Sequence, residues 1–67
     1  MAKGILCSLD MGIGIITPED GSADILIDKH AISEGELPAT KIGHRVEYDA
    51  VPDSSGELIA KSVKLLN

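Results

Sequence analysis

The sequence predicts an all-β fold, five short antiparallel strands closing into a small Greek-key barrel. Three observations carry that expectation. The apolar side chains are branched aliphatics, with nine Ile, seven Leu and three Val, no Phe or Trp, and Tyr48 as the single aromatic. Such residues on short segments favour strands over helices. The apolar stretches are punctuated by turns containing Gly, Pro, Asp and Ser, too closely spaced for helices. One long connection separates the third and fourth segments, which suits a Greek-key path.

Gly4 to Leu9 is the first stretch and ends at Asp10. Ile13 to Thr17 is the second, stopped by Pro18 and the turn Glu19-Asp20-Gly21. Ala23 to Ile27 is the third, so the second and third read as a hairpin. Asp28 to Ile32 leaves the sheet, with Ala31-Ile32 a candidate single helical turn plugging one end of the core. Ser33 to Gly43 reads as a loop, with Gly35, Pro38 and Gly43. In Arg45 to Val51, Val46, Tyr48 and Ala50 share one side, and Arg45, Glu47 and Asp49 the other. Pro52 to Gly56 is a turn, and Leu58 to Leu65 is the last strand. Gly4, Gly12 and Gly14 fit tight bends or close backbone approach, with strand-end punctuation as the plainer alternative.

Two stretches carry a family resemblance. Residues 11 to 16 read Met-Gly-Ile-Gly-Ile-Ile, and residues 24 to 28 read Asp-Ile-Leu-Ile-Asp. They resemble the two ribonucleoprotein motifs of the bacterial cold-shock domain, usually Lys-Gly-Phe-Gly-Phe-Ile and Val-Phe-Val-His. The similarity continues through Gly4, Asp20-Gly21, Asp24, Ala31-Ile32, Gly43, Val46, Tyr48 and Ala60-Lys61-Ser62-Val63. The spacing agrees except for a shortening of about two residues around Asp10-Met11. The resemblance implies an oligonucleotide-binding-type (OB) barrel with single-stranded nucleic acid as the family's ligand.

The departures fall on the groups that would read bases. Ile13, Ile15 and Leu26 stand where the family has Phe, Met11 where it has Lys, and Asp28 where it has His. Ile5, Cys7, Ser8 and Leu9 fill the region in which the family carries exposed Lys, Trp and Phe. Stacking on an aromatic is worth roughly 1–3 kcal/mol per base, and aliphatic side chains do not supply it. Asp28 would repel a nearby phosphate. The candidate binding face is therefore Met11, Ile13, Ile15, Leu26 and Asp28, with Ile5 or Cys7 as candidate neighbours. Ile16, Ile25, Ile27, Ile32, Val46 and Val63 are the expected core. A one-residue slip would exchange the exposed and buried sets.

Composition narrows the remaining classes. Sixty-seven residues make one small domain, residues 1–67, either alone or as part of a longer protein. The formal charge is −5, and the six basic residues are scattered, which disfavours strong phosphate binding. Cys7 is the single cysteine, which suits a reducing compartment, and no membrane span or signal peptide is visible, so a cytoplasmic location is expected. His30 and His44 form no metal set with Cys7, no serine lies in a nucleophile setting, and Gly12-x-Gly14 lacks the helix of a dinucleotide fingerprint. No catalytic residue, metal or cofactor is expected. The favoured function is a protein-interaction or self-association module; the alternative is weak, sequence-tolerant binding of single-stranded RNA or DNA.

Overall fold

The computed structural model describes residues 2–10, 13–28 and 42–66. Five strands make up the fold: β1 (Ala2–Asp10), β2 (Ile13–Pro18), β3 (Ile25–Ile27), β4 (Arg45–Pro52) and β5 (Leu58–Leu65). They form a closed barrel in the order β1-β2-β3-β5-β4. The expected single helical turn at Ala31-Ile32, the core role of Ile32 and most of the loop from Ser33 to Gly43 lie outside the described residues. No helix among the described residues is long and apolar enough to cross a membrane.

Four of the five seams are antiparallel, and the seam between β3 and β5 is parallel. The expectation of antiparallel pairing throughout is corrected at that seam. The reason is one of parity. Strands that alternate in direction around a closed ring must be even in number, so a five-stranded barrel has at least one parallel seam. It falls where Leu26 and Ile27 meet Ile59 and Ala60.

β1 serves two neighbours. Ala2 to Ile5 pair with β4, and Gly4 to Asp10 pair with β2. A strand shared in this way must bend, and two local features accommodate the bend. Gly4 is buried where both pairings overlap, and a Cβ there would stand 2.6 Å from the Thr17 carbonyl oxygen and 2.6 Å from Ile16 Cγ2. Close approach, rather than punctuation, is what this glycine provides. Further along, the register steps from Leu6↔Ile16 to Ser8↔Ile15, so Cys7 is an extra residue in a β-bulge.

The core consists of Leu6, Ile16, Ile25, Ile27, Val46, Tyr48, Ala60 and Val63. Ile16, Ile25, Ile27, Val46 and Val63 take the expected inward positions. Val63 does so through a second irregularity. Glu47 pairs with Lys64 and Asp49 with Lys61, so Ser62 and Val63 together stand opposite Tyr48. Ser62 adopts a left-handed φ of 56° and turns Val63 back inward after Ala60.

Two short turns are locked by the same chemistry. Asp20 Oδ1 accepts hydrogen bonds from the Ser22 amide and hydroxyl. Asp53 Oδ1 accepts from the Ser55 amide at 2.8 Å, the Ser55 hydroxyl at 2.7 Å and the Glu57 amide at 3.0 Å. Hydrogen bonding to the ionised form holds both carboxyls below their ordinary values, chiefly through Ser22 and Ser55 respectively.

Candidate binding face

Alternation along β2 and β3 decides which side chains face out. Gly14 and Ile16 are buried, so Ile13, Ile15 and Thr17 point away from the core; Ile25 and Ile27 are buried, so Leu26 points away. Ile13 is 53% exposed, Leu26 is 52% exposed, and Ile15 is half-buried. The register sets Ile15 directly opposite Leu26. The hairpin thus brings these three expected residues onto one outer surface.

The aliphatic surface extends past the hairpin. Leu26 stands opposite Ile59, and Ile59 stands opposite Val51. Ile15, Leu26, Ile59 and Val51 therefore form one row running across β2, β3, β5 and β4, with Ile13 beside it. Val51 and Ile59 were absent from the expected face. A signal for Val51 was present, because it shares the parity of Arg45, Glu47 and Asp49 and is the one apolar member of that set. The partnership of Ile59 depends on the parallel seam, which local pattern does not reveal.

On β1 the bulge changes the expected face. Ser8 pairs with outward-facing Ile15, whereas Leu9 pairs with buried Gly14 and packs against the core. Leu9 is thus removed from the outer region in which the family resemblance places it. Cys7 is an exposed free thiol at the bulge, and Ile5 is half-buried opposite Thr17. Met11 lies outside the described residues. Asp10 pairs with Ile13, leaving a two-residue connection where the shortening was expected.

Asp28 follows Leu26 with the same parity at the edge of the row. It is half-buried, its amide donates to the Ala60 carbonyl at 2.9 Å, and Oδ2 lies 3.9 Å from Lys61 Nζ. Other basic groups on the wall also face carboxylates. Lys3 and Lys64 both stand opposite Glu47, and Lys61 stands opposite Asp49. Arg45 Nε donates to Glu19 Oε2 at 2.7 Å, and this bond holds the Glu19 carboxyl below its ordinary value. Among the described residues the outer wall has neither an aromatic ring nor a run of cations without acidic neighbours. Tyr48, the one aromatic, is in the core. Among the described residues no three His, Cys, Asp or Glu side chains converge as a metal site.

No protein-family model matches the chain. Individual relatives do. Over 54 residues the chain is 35% identical to a probable cold shock protein, y4cH, of Sinorhizobium fredii, covering 79% of this chain and 78% of the relative. It is 35% identical to the cold shock-like protein CspE of Escherichia coli K12, covering 81% and 78%. It is 37% identical over 59 residues to a cold shock-like protein of Aquifex aeolicus, covering 88% and 83%. These similarities span most of both chains, and the five-stranded barrel is the OB-type fold that the motifs implied. The chain belongs to the cold-shock protein family.

Proposed function

We propose that this cold-shock-type barrel is a protein-interaction module that self-associates through its aliphatic face, with base reading lost from that face. The observation that supports this reading is the row Ile15, Leu26, Ile59 and Val51 with exposed Ile13 beside it. A contiguous aliphatic patch gains free energy when covered by another apolar surface, at about 25 cal/mol per Å². A base stacked on the same patch would lack the aromatic contact that makes such binding favourable. The carboxylates opposite Lys3, Lys61 and Lys64 further weaken attraction for phosphate. On this reading the protein is not an enzyme and needs no cofactor, and it works in a reducing, cytoplasmic setting where Cys7 stays a thiol.

Sedimentation velocity over a wide concentration range tests the proposal. Reversible association is expected at high micromolar concentration, and Leu26→Asp should abolish it by placing a charge in the centre of the row. A monomer at every concentration would contradict self-association.

Family membership favours a second reading, weak and sequence-tolerant binding of single-stranded RNA or DNA through backbone contacts with Arg45 and the scattered lysines. Binding of that kind would fall steeply with added salt.

A further inference from the structure

The aliphatic row separates two strips of the outer wall that differ in charge. Glu57 lies two residues before Ile59, and Lys61 two residues after it. Along an extended strand they stand about 7 Å to either side of the row. The Asp53 amide donates to the Glu57 carbonyl at 2.7 Å, which continues the β4–β5 ladder past Pro52 and Leu58 and keeps Glu57 in line with Ile59. Asp24 and Asp53 lie two residues from Leu26 and Val51 on that same side, toward the turns, and all three carboxylate residues are exposed. On the other side Lys61 stands between two carboxylates, opposite Asp49 and 3.9 Å from Asp28.

A closed barrel is convex, so a second copy covers only the middle of the row, Leu26 on β3 and Ile59 on β5. Copies of one chain pair most commonly about a two-fold axis, and face to face that axis runs either along the strands or along the row. An axis along the strands stacks turn side on turn side. Asp24 and Glu57 of each copy then meet Glu57 and Asp24 of the other, and no cation from β3 or β5 lies among them. Lys61 meets the partner's Asp28, next to its own, so the gain there does not relieve the acidic side. An axis along the row stacks opposite sides. Glu57 of each copy then falls on Lys61 of the other, because both are equally far from Ile59. Asp24 faces the partner's Asp28, whose charge is offset by the lysine 3.9 Å away. The Lys61 side chain is 54% exposed, and its long stem carries the ammonium out toward a facing carboxylate.

Building on the reading that the row self-associates, we propose that its partner is a second copy of this chain related by a two-fold axis along the row, with strands antiparallel across the interface and Glu57 of each copy paired with Lys61 of the other. The aliphatic centre supplies the attraction and the charges on either side select the orientation. Stacking turn side on turn side covers the same apolar area and is rejected by its own carboxylates.

Sedimentation of the full chain as Glu57→Lys, as Lys61→Glu and as their equimolar mixture tests this. Each variant alone sets like charges against each other twice, and association should weaken about threefold or more. In the mixture both pairs are restored with their signs exchanged, and association should return to within about twofold of the parent. Glu57→Lys also lowers the net negative charge that the two copies share, so weakening by this variant is the mark of a lysine facing it. Glu57 is exposed and its turn is held through backbone groups, so this variant keeps the fold and decides alone if Lys61→Glu does not fold. Tighter association of Glu57→Lys than of the parent would mean that turn sides stack, and would overturn the proposal. A parent that associates, with no recovery in a mixture of folded variants, would overturn the pairing and leave self-association standing. A parent that stays monomeric would overturn both.

Discussion

At the scale of single residues, the barrel depends on positions where a side chain is absent or the backbone is unusual. Gly4→Ala would place a methyl group against the Thr17 carbonyl, which is backbone and cannot swing aside. A loss of about 1–3 kcal/mol is expected from urea or thermal unfolding. Gly14→Ala should cost less, because its nearest contact at 2.8 Å is the flexible Cδ1 end of Ile27. Ser62→Val should cost roughly 1–2 kcal/mol, since a branched side chain suits a left-handed φ poorly. The sequence hinted at Gly4, an isolated glycine at the start of an apolar run. It gave no hint of Ser62, because serine in the stretch Lys61-Ser62-Val63 looks like any outward strand residue.

At the scale of elements, alternation made most of the hairpin legible and the bulges defeated it. Ile13, Ile15 and Leu26 face outward because β2 and β3 run without interruption. Leu9 does not, because Cys7 adds a residue to β1 and reverses the parity beyond it. A bulge depends on how two strands pair, and neither strand alone records it. Changing Ile13 and Ile15 together to Thr should cost about 1 kcal/mol, as Ile13 is exposed and Ile15 only half-buried. A much larger loss in thermal melting would place them in the core. The turn after β2 is tied to the start of β4 by Glu19 and Arg45. The hydrogen bond from Arg45 holds the Glu19 carboxyl below its ordinary value, so the ionised form is favoured by folding. Its stabilising effect is present above the unfolded value and is lost as pH falls through the lower folded value. Melting curves taken from about pH 6 down to about pH 3 should show Glu19→Gln less stable than the parent at the upper end, with the gap closing in acid.

At the scale of the whole molecule, barrel closure joins features that lie far apart in the chain. The parallel seam of β3 and β5 puts Ile59 beside Leu26, and β4 then adds Val51, so a hairpin patch becomes a row across four strands. Motif order and spacing made the closed barrel legible, but not the extent of the row, which depends on the neighbour each strand acquires at closure. On the proposed reading, this wall keeps the family's frame without its base-reading groups. Fluorescence anisotropy of a labelled pyrimidine-rich single strand tests it most directly, with the parent chain compared with a folded Ile13→Phe, Ile15→Phe, Leu26→Phe variant at physiological salt. Three restored platforms, at roughly 1–3 kcal/mol each, should tighten binding about a hundredfold or more over the weak, salt-sensitive binding proposed for the parent. Tight binding by the parent, unchanged in the variant, would contradict the loss of base reading from this wall.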